Sequence, residues 1–223
     1  MKSFIEFLVE EEKTPFQKDI TIVGNWYQGY FSKKMSASDQ TKIVDAFNST
    51  TEELKTNYGI NNSPDMTVYR VFRFKNFSKH LSGKDASTID DMVDDEESNA
   101  AIQRALNKML DGKKLSLNTG ENNIQPWSAS EESAKDFYDK KDGTTSGVYV
   151  IAKTTVSKNE VIGYYKNYLD YANKVSNPNA AIQMWSRGFA MTEKEVTVDV
   201  TLPRTVTVER ILIMKNTDME DYS

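Results

Sequence analysis

At Thr67 the spacing of apolar residues changes from a helical repeat to a repeat of two, which confines the chain to a fold that mixes helices with sheet. Upstream, Ile43, Phe47, Leu54 and Tyr58 anchor a helical stretch over residues 36–58, with Asn48-Ser49-Thr50 reading as a break between two helices. Downstream, Val68, Arg70, Phe72 and Phe74 share one face of a strand, and Tyr69, Val71, Arg73 and Lys75 share the other. The cluster Asn61-Asn62-Ser63-Pro64-Asp65 between them is turn-forming and sets a boundary. The expected organisation is a short amphiphilic opening (1–14), a helical N-terminal lobe (15–63) and a core (64–223), together an α+β fold.

Within the core, the acidic run 90–97 leads into a helix that carries Ala101, Ile102, Ala105, Leu106, Met109 and Leu110 on one stripe, and Asp111-Gly112 closes it. Trp127-Ser128-Ala129-Ser130 precedes a helix with Ala134, Phe137 and Tyr138 on its apolar side. The turn 142–147 then delivers the strand Val148–Ala152. Val161, Tyr164, Tyr165, Tyr168, Leu169 and Ala172 recur at helical spacing, so residues 161–172 read as a helix whose aromatic stripe is core. Two strands, near 195–201 and 205–214, flank Leu202-Pro203.

A chain of 223 residues with 38% hydrophobic content buries a substantial core without crosslinks. The absence of cysteine removes disulfides, thiolate nucleophiles and cysteine-type zinc sites. His80 is the single histidine, which excludes a multi-histidine metal centre and disfavours a serine–histidine triad; no metal is expected. A net charge of −5 argues against broad electrostatic attraction to nucleic acid and leaves a local basic patch open. No run approaches the ~18 apolar residues of a membrane span, and Glu6 interrupts Phe4-Ile5-Glu6-Phe7-Leu8-Val9, so neither a membrane partner nor a secretory signal is expected.

The residues with chemical potential are few. Alternation sets Glu195, Thr197 and Asp199 on one face of a strand and Val196, Val198 and Val200 on the other; Glu193 points with Glu195 if the strand begins early. Two carboxylates there can serve one substrate, while the preceding loop, with Trp185 and Phe189, presents another. The plain alternative is an acidic strand edge in water. Ser128-Ala129-Ser130-Glu131 also fits a capping box. Arg70, flanked by apolar neighbours on its own strand face, needs an anionic partner, which a structural salt bridge would also provide.

In order and spacing, Arg70 after Tyr69, Ser128 and Ser130 after Trp127, and Glu193-Lys194-Glu195 before Val196 resemble the arginine-specific ADP-ribosyltransferase family. Its members carry an Arg, a Ser-x-Ser segment and Glu-x-Glu on successive strands of a split β-sandwich. The resemblance covers residues 66–200, with Asn118-Thr119-Gly120 and the Ala134-x-x-Phe137 spacing as further points of likeness; Val71 and Ala129 depart from the usual pattern. It implies NAD as substrate, held by Arg70, Ser128, Ser130 and Glu195. Arg70 would grip a phosphate or ribose, and Ser128 would orient the nicotinamide ribose and Glu195. Glu195 would stabilise the oxocarbenium-like cation, and Glu193 would position the acceptor guanidinium and take its proton. Trp185 and Phe189 would contact the target or the nicotinamide.

The opening Met1-Lys2-Ser3-Phe4-Ile5-Glu6-Phe7-Leu8 resembles prohead-targeted internal proteins of T-even-type bacteriophages, and Leu8-Val9-Glu10 is similar to the site their maturation protease cuts. Such phages encode Alt- and Mod-type ADP-ribosyltransferases that modify host proteins. This resemblance implies a bacterial host protein as partner, in the transcription or translation machinery, action in the host cytoplasm, and packaging in the virion. An ordinary amphipathic helix is the other reading of residues 1–14. A non-catalytic head or inhibitory protein, an NAD glycohydrolase and a transferase of NAD-capped RNA are the alternative functions.

Overall fold

A computed structural model describes residues 14–27, 35–61, 63–73, 104, 107–108, 110–117, 123–135, 147–176, 194–199 and 204–214. In chain order the elements are α1 (Pro15–Tyr27), α2 (Ala37–Tyr58), β1 (Met66–Arg73), β2 (Lys114–Leu117), β3 (Ile124–Ser128), β4 (Gly147–Val156), β5 (Val161–Tyr164), α3 (Tyr165–Lys174), β6 (Glu195–Asp199) and β7 (Arg204–Met214). They fall into two compact units: Met1–Ser63 with Ile162–Met191, and Pro64–Val161 with Thr192–Ser223. The first unit is therefore discontinuous, whereas the sequence reading assigned 64–223 to one core.

In the first unit, local signals set the helix ends. Thr14 and Gln17 form a reciprocal capping box: the Gln17 N–H donates to Thr14 Oγ1 (3.2 Å) and the Thr14 N–H to Gln17 Oε1 (2.8 Å), with Pro15 at the first helical position. Ser36 Oγ accepts the Asp39 N–H and caps α2, and left-handed Gly59 (φ 64°) ends it by donating to Leu54 and Lys55 carbonyls. The expected break at Asn48-Ser49-Thr50 does not occur; α2 runs unbroken over 22 residues. Thr50 is fully buried on the same side as Phe47 and Leu54, so packing of that face overrides the weak helix propensity of the three polar residues.

Residues 161–172 also differ from expectation. Val161–Tyr164 is a strand and only then does α3 begin, with extended Tyr164 as its N-cap. The cause lies in Gly163. A Cβ there would sit 2.5 Å from both Phe47 Cε1 and Tyr27 Oη, so the backbone at this point is pressed against two rings. Phe47 in turn packs edge-to-face against Trp26, Tyr27 and Tyr168, with centroids 5.7–6.5 Å apart. Burial drives the Tyr168 hydroxyl far above its usual range, ahead of the opposing contacts from Thr51 and Tyr27.

The second unit is built on six strands in the order β2-β7-β4-β1-β3-β6, each antiparallel to its neighbours. β1 pairs with β4 along its whole length, Met66↔Val156 to Arg73↔Tyr149, and β3 with β6 from Ile124↔Asp199 to Ser128↔Glu195. Between β1 and β3, by contrast, the register holds the single pair Tyr69↔Ser128. A bulge interrupts β7: Ile151 faces Arg210 and Ala152 faces Val208, leaving Glu209 as the extra residue, ion-paired to Lys153. One sheet face buries Val68, Val150, Ala152, Val196, Val198, Val206 and Val208, and Arg70, Gln125 and Thr154 share it. On the other, Val71, Tyr149 and Ile151 pack with Ala134 of the helical segment 131–135.

The turn from β4 to β5 is held by charge. Glu160 accepts from Ser157 N–H and Oγ and pairs with Arg204 at the start of β7, and Arg204 also donates to Thr154 Oγ1. Burial pushes the Glu160 carboxyl up, but the Ser157 and Arg204 donors outweigh it and hold it below its ordinary value. A depressed folded-state value means stability that is present above the unfolded value and lost as pH falls through the folded one.

Two outcomes are expected. Gly163→Ala lowers unfolding free energy by about 1–3 kcal/mol, read by urea denaturation, because rings buried on both sides must shift. Glu160→Gln flattens the loss of stability between about pH 5 and 3 in acid titrations of unfolding, since the carboxylate responsible for part of that slope is gone.

Candidate functional site

β6 and β3 place Glu195 and Ser128 directly opposite one another, and the next strand adds Tyr69 opposite Ser128. Residues facing each other across an antiparallel ladder project from the same side, so Glu195, Ser128 and Tyr69 form one row across three strands. Glu195 and Ser128 are 8% and 6% exposed. The expectation of a water-washed acidic edge therefore does not hold for Glu195. Its carboxylate accepts from Thr197 Oγ1 at 3.3 Å, one pleat along the same face.

The entry to β6 is strained. Lys194 has φ 45°, the left-handed region that a lysine occupies at a cost of about 1–2 kcal/mol. Its carbonyl accepts the Ala129 N–H at 3.0 Å, which ties the kink to the end of β3. Lys194 leads directly into β6, whose first residue is Glu195. Glu193, Trp185 and Phe189 lie outside the described residues.

The serines divide their roles differently from the capping box read in the sequence. The helical segment starts at Glu131, and Ser130 caps it by accepting the Ser133 N–H at 3.3 Å. Ser128 instead closes a tight turn: its Oγ donates to the Ser130 carbonyl (2.8 Å) and accepts the Ser130 N–H (3.2 Å). That turn fixes Ser128 beside Glu195. Glu131 is held by Arg210 at 2.8 Å, so the segment is anchored to β7 as well.

Arg70 is one residue from Tyr69 and projects from the opposite face. There Nη1 donates to Gln125 Oε1 at 3.1 Å, and the guanidinium lies 5.4 Å from the Phe72 ring centroid and 5.9 Å from that of Trp127. Gln125 and Trp127 alternate with Ser128 along β3, which puts them on Arg70's side. Of the predicted set, the fold brings Ser128 and Glu195 together, seats Ser130 two residues away, and turns Arg70 to the far side of the same strands. Gln125 and Thr197 are the partners that sequence reasoning did not single out for a role; alternation sets each on its face, but only the strand order shows whom it meets.

No known protein family, curated protein or solved structure matches this chain.

Arg70→Ala removes a charge-assisted hydrogen bond from Gln125, which is only 2% exposed, together with two ring contacts. The expected loss is about 1–3 kcal/mol in denaturant unfolding, more than a surface arginine would show.

Proposed function

We propose that the protein is an NAD-dependent mono-ADP-ribosyltransferase that modifies arginine on a bacterial host protein, as the motif resemblance implies. The observation that carries this reading is the pairing of Ser128 with Glu195 on adjacent strands, a buried hydroxyl beside a buried carboxylate at a strained strand entry. The near-separation of the sheet between β1 and β3 adds support, because a sheet that parts there has the character of a split β-sandwich.

In this mechanism the glycosidic bond of NAD breaks and nicotinamide leaves with the bonding electrons. Glu195 stabilises the positive charge that develops on the ribose, its carboxylate already oriented by Thr197 and confined beside Ser128. An acceptor guanidinium nitrogen then bonds to the anomeric carbon, and its proton passes to Glu193. That transfer is needed because a protonated guanidinium is a poor nucleophile at neutral pH. Arg70, carried over from the family as a grip on NAD, supports the reading least, since its donors serve Gln125 on the other face.

Incubation with labelled NAD and host lysate tests the assignment. Glu195→Ala is expected to reduce label transfer by about 10²–10³-fold; unchanged transfer removes Glu195 from the mechanism. Glu193→Gln is expected to lose transfer and keep residual NAD hydrolysis, whereas equal loss of both removes its acceptor-side role. The orientation of Arg70 favours a second reading, a non-catalytic phage head or host-inhibitory protein. Calorimetry separates the two: a folded sample that takes up no NAD at millimolar concentration belongs to the second.

A further inference from the structure

On the face that carries Ser128 and Glu195, the strands at the other side of the sheet surround a hollow of about 200 Å³ whose lining includes Thr67, Lys114, Lys153, Thr155, Thr205 and Thr207. The register explains their convergence. Thr67 faces Thr155, Lys153 faces Thr207, and Thr207 faces Lys114, so four strands contribute side chains to one side. Thr205 lies one pleat from Thr207, and Thr155 one pleat from Lys153, on that same face.

The chemistry of this hollow is one-sided. Among the described residues no carboxylate lines it, two ammonium groups do, and each of these threonines adds a hydroxyl able to donate. Thr67, Thr155 and Thr205 are exposed and spend their hydroxyls on no hydrogen bond among the described residues. Lys153 is held in place by Glu209, the residue that the bulge in β7 extrudes beside it. That ion pair also raises the Lys153 ammonium above its usual value, against a smaller effect of burial, which keeps it charged. Lys114 is exposed and makes no ion pair among the described residues.

We infer that this hollow between β1, β4, β7 and β2 is a binding site for a phosphate group. A tetrahedral dianion needs several donors from different directions and positive charge: hydroxyls from three strands supply the donors, Lys114 the uncompensated charge, and Lys153 the N–H donors that its pairing with Glu209 leaves over. Lys153 faces Tyr69 and Tyr69 faces Ser128, so two strand spacings, about 10 Å, separate Lys153 from Ser128 along one row. The inference does not depend on the reaction proposed above.

Titration of the full-length protein with inorganic phosphate, followed by calorimetry, tests it. Saturable binding is expected, weakened about tenfold or more by Lys114→Glu, which reverses an exposed charge, and about threefold by Thr155→Val, which removes one donor and keeps the β-branched shape. Competition by NAD would identify the phosphate as part of the dinucleotide, and undiminished phosphate binding in saturating NAD would identify a separate phosphate-bearing ligand; both support the site. A wild-type protein that is folded by circular dichroism and shows no saturable phosphate binding overturns it, as do Lys114→Glu and Thr155→Val variants that bind like the wild type.

Discussion

The second unit depends on one cross-strand pair, Tyr69 with Ser128. On one side of it β1 is zipped to β4 over eight residues, and on the other β3 is zipped to β6 over five. A ladder reduced to a single pair lets the two halves twist independently while keeping their registers locked at one point. Every placement around Glu195 follows from that lock. A slip of one residue would exchange the faces of all side chains on β3 and β6 relative to β1.

The same lock explains why Arg70 and Glu195 do not share a wall. Position 69 belongs to the row of Ser128 and Glu195; position 70 necessarily belongs to the other face, where Gln125 and the rings of Phe72 and Trp127 receive its charge. Hydrogen bonding and ring contact satisfy a cation that an apolar face would otherwise expel. At the other end of the row, two breaks in regular strand geometry act in opposite senses. Left-handed Lys194 bends the chain just before Glu195, while the bulge at Glu209 brings a carboxylate to Lys153. Both re-aim charged side chains on a sheet whose remaining pattern is strict.

The first unit is ordered by ring packing around Phe47. Trp26, Tyr27 and Tyr168 contact it edge-to-face, and Gly163 is the residue that allows backbone to reach the same ring. This close approach turns 161–164 into extended chain although its apolar spacing reads as helical. It also fixes the point at which α3 starts, since Tyr164 and Tyr165 straddle the change from strand to helix.

The sequence by itself determined the alternation of β1 and β6 and the helical repeat over 36–58, because each is a local preference written within a few residues. It also marked Ser128 and Glu195 as a candidate pair through motif order. Tertiary structure alone decided that these two are strand neighbours, that Arg70 faces Gln125, that α2 continues through Asn48-Ser49-Thr50, and that residues 162–191 return to the first unit. Strand order, register and backbone approach are set by contacts between residues far apart in the chain, and periodicity along one segment carries no information about which segment it will meet.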